Sequence, residues 1–186
     1  MFNHVLKTLN FVFALIGFSN FTNALMMFAA AGKWKLYEQA KLAIANGEVD
    51  LATDAFEIAL YLSTSDCNTL TGTDRDLATI TNQVATNFGY VQADGAAGGK
   101  VIDITTANTT GTITVDAASD PVWTAAGGSI TARFAVLIDG THASDIAIAV
   151  CKLDSADADV TATTGNTLTI TMNVSGMFTL SGAATD

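Results

Sequence analysis

Between Pro121 and Asp139 hydrophobic and polar positions alternate more cleanly than anywhere else in the chain. Ile130, Ala132, Phe134, Val136 and Ile138 fall on one face, and Ser129, Thr131, Arg133 and Ala135 on the other. A period of two predicts a half-buried strand, entered through the turn at Gly127-Gly128. Similar alternation recurs at Phe56, Ile58, Leu60 and Leu62, at Ile146, Ile148 and Val150, and at Leu168, Ile170, Met172 and Val174. Shorter strands are predicted at Lys100 to Thr105, Thr110 to Asp116, Val122 to Thr124 and Met177 to Leu180, with turns at Asp50 to Asp54, Asp139 to Thr141 and Thr163 to Asn166. Trp123, after the break at Asp120-Pro121, is expected to plug the core.

About eight strands at turn-marked intervals predict a mainly β fold, an antiparallel β-sandwich of jelly-roll type. The period changes once. From Lys33 to Asn46, Trp34, Tyr37, Lys41 and Ile44 recur at steps of three and four, which predicts a short N-terminal amphipathic helix that stops at Asn46-Gly47 and packs its aromatic stripe on the sheet. Thr64 to Gly89 is polar and mixed. It is expected to leave the sheet as a long excursion, with a short helix around Leu77 to Val84, and long connections of this kind often carry partner contacts.

Residues 1–31 differ from the rest. His4 and Lys7 precede an apolar run, Leu9 to Phe18, too short for a confident membrane span, and Ala29-Ala30-Ala31 offers a cleavage-like site, with Thr22-Asn23-Ala24 a nearer one. Three readings stand open: a signal or anchor, an extension ahead of a true start at Met26 or Met27, or a folded helix. The domain proper is placed at residues 32–186, one unit with a real core.

Composition refines this picture. Hydrophobic residues make up 49% and charged residues 14%, which excludes disorder and leaves a surface of Thr, Ser, Asn and Asp. The net charge is −10. Residues 1–44 carry four Lys against one Glu, so the remainder holds −13. A surface this acidic repels phosphate backbones and argues against direct nucleic-acid binding.

No convergent chemistry emerges, and no catalytic, cofactor-binding or metal-ligating residue is assigned. His4 and His142 are the two histidines, and His142 lacks a nucleophile context and reads as an exposed loop residue. Asp94 to Lys100, DGAAGGK, departs from a phosphate-binding loop in its glycine spacing and in Val101, and reads as a turn. Asp154, Asp157 and Asp159 lack calcium-loop spacing and read as solvated turn carboxylates. Cys67 and Cys151 are expected to be buried free thiols, with one disulfide as the alternative. The Asn-x-Ser/Thr triplets at Asn108 and Asn173 matter only in a secreted eukaryotic protein.

Taken together, the segments KWKLYEQAKLAIANGEVDLATDAFEIALYLST and VWTAAGGSITARFAVLIDG resemble a family of small tailed-bacteriophage and prophage proteins. The likeness runs from about Lys33 to Leu180 and includes DVTATTGNTLTITMNVSGMFTLS. It implies a virion structural protein, capsid-decorating, head-fibre or tail-associated, assembled in the host cytoplasm and acting on itself and on other virion proteins. It transfers no catalytic residues. Family members usually begin just before the Trp-Lys segment, which favours a start at Met26 or Met27. The alternative is a secreted or surface β-sandwich that binds carbohydrate or mediates adhesion, in which case the N-terminal segment is an export signal or membrane anchor.

Overall fold

The computed structural model describes residues 27–30, 32–72, 75–96 and 98–181; the expectations for residues 1–26 lie outside them. The fold is mainly β, with thirteen strands and one helix among the described residues.

The centre is a five-stranded antiparallel sheet. Its middle strands are β3 (Phe56–Tyr61), β9 (Phe134–Asp139) and β10 (Ile146–Lys152), flanked by the short strands β2 (Lys35–Leu36) and β4 (Lys100–Ile102) in the order β2-β10-β9-β3-β4. Every residue of β3 and β9 is buried, as are the first six of β10. The half-buried expectation is therefore corrected: Ala59, Ala135, Ala147 and Ala149, on positions that alternation assigns to solvent, are wholly enclosed. Their small side chains let a second layer come close, so both faces are covered, as in strands that read as continuous hydrophobic runs.

The stretch Pro121 to Asp139 holds three strands, β7 (Val122–Thr124), β8 (Ile130–Ala132) and β9, so the single strand expected after Gly127-Gly128 is divided in two. The chain changes sheet at Arg133, whose N–H donates to Tyr61 O and whose carbonyl accepts from Leu153 N, both at 2.9 Å. Before it, β8 pairs with β11 (Val160–Ala162); after it, β9 enters the large sheet. Another small sheet joins β1 (Met27–Ala30), β12 (Thr167–Thr171) and β7, with β1 parallel to β12. A third joins β13 (Phe178–Ser181), β6 (Thr112–Ala117) and β5 (Ile104–Thr109), all antiparallel.

The helix, α1 (Glu38–Asn46), is shorter than expected and buries Ala40 and Ala43. Trp34 and Tyr37 are also buried, but they precede the helix in an extended strap. That strap is needed at an edge. Leu36 and Lys35 pair with Ala149 and Val150, Tyr37 N–H donates to Ile148 O at 3.1 Å, and Gly32 N–H to Lys152 O at 2.9 Å. The stop at Gly47 is as predicted, with Glu48 N–H returning to Ala43 O at 2.9 Å, the bond that closes a helix C-terminus.

The excursion after β3 folds back onto the sheet and holds turns at Leu77 to Thr79 where a helix was expected. Asp76 bridges Ile146, Arg75 O accepts from Ala147 N, and Gln83 bridges Tyr61. Beyond the end of β4, Leu60 N–H donates to the Tyr90 hydroxyl at 2.9 Å and Leu60 O accepts from Val84 N at 2.8 Å. The outer side of β10 and the part of β3 that β4 leaves uncovered are thus paired by the strap and this segment, which satisfies backbone groups that burial would otherwise leave unpaired. One continuous core cluster joins α1, the excursion and residues of all the sheets whose side chains are described.

Candidate interaction surface

The residues singled out for chemistry are placed apart or already occupied. Asp154 accepts from Ala156 N at 2.6 Å, Asp157 pairs with Lys152 at 3.0 Å, and Asp159 pairs with Arg133 at 2.8 Å. Each of these carboxylates serves a different local partner. Among the described residues no group of three His, Cys, Asp or Glu side chains is placed to hold a metal ion. In the Asp94 to Lys100 turn the amides serve carboxylates: Ala96 and Gly98 N–H donate to Asp94 at 2.9 and 2.8 Å, and Gly99 N–H to Glu57 at 3.0 Å. The two amides hold the Asp94 carboxyl below its usual range.

His142 is half-buried, and its Nδ1 meets the Ser144 hydroxyl at 3.1 Å and backbone N–H at 3.3 Å, a local turn contact. Cys67 and Cys151 are buried free thiols, and burial pushes Cys67 up to about 11 and Cys151 further still. Trp123 is buried with its ring centroid 6.2 Å from that of Tyr90 and the Lys100 ammonium 5.8 Å away.

Periodicity did not reveal Asp139. It ends β9, is fully enclosed, and accepts from Thr141 N at 2.8 Å and His142 N at 3.2 Å through Oδ1, while Oδ2 has no donor. Burial first, and the Asp54 carboxylate after it, push its carboxyl up to about 6 against the pull of those amides. The two carboxyls lie where the β9–β10 loop is clamped to the turn before β3, with Ala55 N–H donating to Thr141 Oγ1 at 2.8 Å and Gly140 N–H to Ala55 O at 2.9 Å. A raised pKa in a clamped loop junction reads as structural strain, because the side chain is fully enclosed and its Oδ1 is taken by the loop's own amides.

The described surface has several concave regions. A cleft of about 500 Å³ lies between the strap and the loop before β13, lined by Lys33, Trp34, Leu36, Asn173, Ser175 and Phe178. A groove of about 430 Å³ runs beside α1, where Leu42 is 62% exposed.

The most distinctive surface is the β5–β6 hairpin. Thr110 and Gly111 have φ of 53° and 82°, the pair of positive values that a two-residue hairpin turn requires. The strands continue without a register shift from Thr109 opposite Thr112 to Ile104 opposite Ala117. Thr105 to Gly111 are all exposed, and only Val115 and Ala117 anchor β6 in the core. From Ile104 to Val115 there is no ionisable side chain, whereas the chain as a whole carries −10. β13 covers one side of the hairpin; among the described residues nothing pairs with the outer side of β5. The Thr64 to Gly89 excursion, by contrast, packs onto the central sheet.

No family model, curated protein or solved structure matches this chain.

Proposed function

We propose that the protein is a structural component of a tailed-bacteriophage particle, a capsid-decorating, head-fibre or tail-associated subunit that works through contacts with other virion proteins and with itself. The observation that carries this reading is the uncharged arm with its open strand edge. Natural sheets blunt such edges with charge, proline or bulges, and β5 has none of these. An edge kept in that state suits a subunit whose partner completes the sheet. The sequence resemblance points the same way. In this reading the sheets pack as a sandwich of jelly-roll type, which the single core cluster supports.

The test is peptide mass spectrometry on density-purified particles from the source. Peptides of this chain at structural abundance, the first of them starting at Met26 or Met27, are the expected result. Absence from particles together with a processed N-terminus in the secreted or membrane fraction would overturn it.

The strap cleft favours a second reading, an exported carbohydrate-binding or adhesive module. Trp34 and Phe178, both largely buried, form its apolar wall, and Lys33, Asn173 and Ser175 offer polar groups, a mixture suited to small polar ligands. A glycan array on the full chain that gives no hits would remove it.

A further inference from the structure

We infer that two copies of this chain associate by antiparallel pairing of β5 with β5 about a two-fold axis through Thr106, which completes a continuous sheet of six strands, three from each copy. The inference deepens the proposed function by naming the first partner of the open edge.

The direction of the backbone groups fixes the geometry. The hairpin closes at Thr109 and Thr112, and the Asp103 carbonyl accepts from Ala118 N at 2.8 Å. In an antiparallel ladder alternate residues turn both backbone groups to one side. Asp103, Thr105, Ala107 and Thr109 therefore face β6. Ile104, Thr106 and Asn108 point N–H and C=O outward, where no described residue meets them.

Only one symmetric register uses all three outward residues. It places Thr106 opposite Thr106 of the second copy and Ile104 opposite Asn108, with roughly six new backbone hydrogen bonds. A two-fold contact of this kind closes on itself and does not propagate.

Charge selects the occupant. Copies with a net charge of −10 repel one another, so they approach best through a neutral surface. The stretch Ile104 to Val115 is such a surface. In the inferred register Asp103 lies opposite Thr109, so no like charges meet across the seam, which would oppose pairing.

Sedimentation velocity on the full chain from about 1 to 100 µM tests this, alongside Thr106→Lys and Thr106→Glu. Thr106 is exposed, so neither substitution disturbs the monomer's core, and near-identical thermal melts of the dilute proteins check this. The wild type is expected to shift from monomer to dimer, each variant to remain monomeric at least tenfold higher in concentration, and an equimolar mixture of the two to dimerise again. A wild type that stays monomeric, or variants that dimerise like the wild type, would overturn the inference. Sedimentation and particle mass spectrometry give separate answers: a dimer absent from particles defeats the virion reading alone, and an abundant particle protein that is monomeric defeats this inference alone.

Discussion

At the scale of single residues, Asp139 is where the fold works against itself. A carboxyl that is fully enclosed, with one oxygen lacking a donor and Asp54 nearby, is harder to ionise in the folded chain than in the unfolded one. Between the usual carboxylate value and about 6 the folded state binds more protons than the unfolded state. This group's contribution therefore falls as pH rises through that window, by up to about 3 kcal/mol. Asp50 and Asp94, whose carboxyls accept backbone N–H groups and are lowered, act in the opposite sense at more acid pH. The difference between the wild type and Asp139→Asn isolates the effect. Urea unfolding at pH 4 and pH 7 is expected to show the variant gaining on the wild type at the higher pH, because its amide stays neutral and can donate towards Asp54. Parallel pH profiles would contradict this.

A second residue-scale prediction concerns Gly89. Its φ is +90°, and a Cβ there would lie 2.1 Å from Thr124 O. Gly89→Ala is expected to cost about 2–4 kcal/mol, from backbone strain and a clash with main chain that cannot swing aside. A change below about 1 kcal/mol in denaturant melts would show that the crossing of excursion and β7 is looser than the structure has it.

At the scale of elements, β3 depends on burial on both faces and on an edge finished by a side chain. Leu60→Ala, in the enclosed strand, is expected to lose about 2–5 kcal/mol, and Leu42→Ala, on the exposed side of α1, about 0.5 kcal/mol or less. Tyr90→Phe removes the acceptor of the Leu60 N–H and is expected to cost about 1–3 kcal/mol, the penalty of leaving a buried amide unpaired. Equal losses for Leu60→Ala and Leu42→Ala would contradict the placement of the core.

The same elements show how far the sequence could be read. The alternation of apolar residues located β3, β9, β10 and β12, because a period of two survives wherever large side chains face one layer. It missed that Ala135, Ala147 and Ala149 face a second layer, since alanine is compatible with solvent and with a tight interior alike. It missed the break at Arg133, because β8 and β9 continue one pattern while pairing with different strands. Trp34 and Tyr37 fall at helical spacing yet lie in the strap, where hydrogen bonds to β10 outweigh local propensity. The candidate surface was not legible. In β5 threonines occupy both faces, so side chains give no face and no register, and the outward direction of the Thr106 amide is a property of pairing alone.

At the scale of the whole molecule, a doubly covered acidic body carries a neutral arm. The charge of −10 keeps bodies apart and leaves the arm as the point of approach. Association is therefore expected to tighten as salt rises from about 50 to 500 mM, because screening weakens repulsion between bodies while the seam contains no ion pairs to weaken. Weaker association at high salt, measured by sedimentation equilibrium, would mean that charged residues form the contact.

The most direct measurement is residue-resolved hydrogen exchange on the full chain, dilute and concentrated. The account predicts that amides of β3, β9 and β10 exchange slowest at both concentrations. It also predicts that Thr105, Ala107 and Thr109 exchange alike at both, and that Ile104, Thr106 and Asn108 change from fast to protected as concentration rises. Uniform protection along β5 in the dilute sample, or no change at those three amides on concentration, would contradict it.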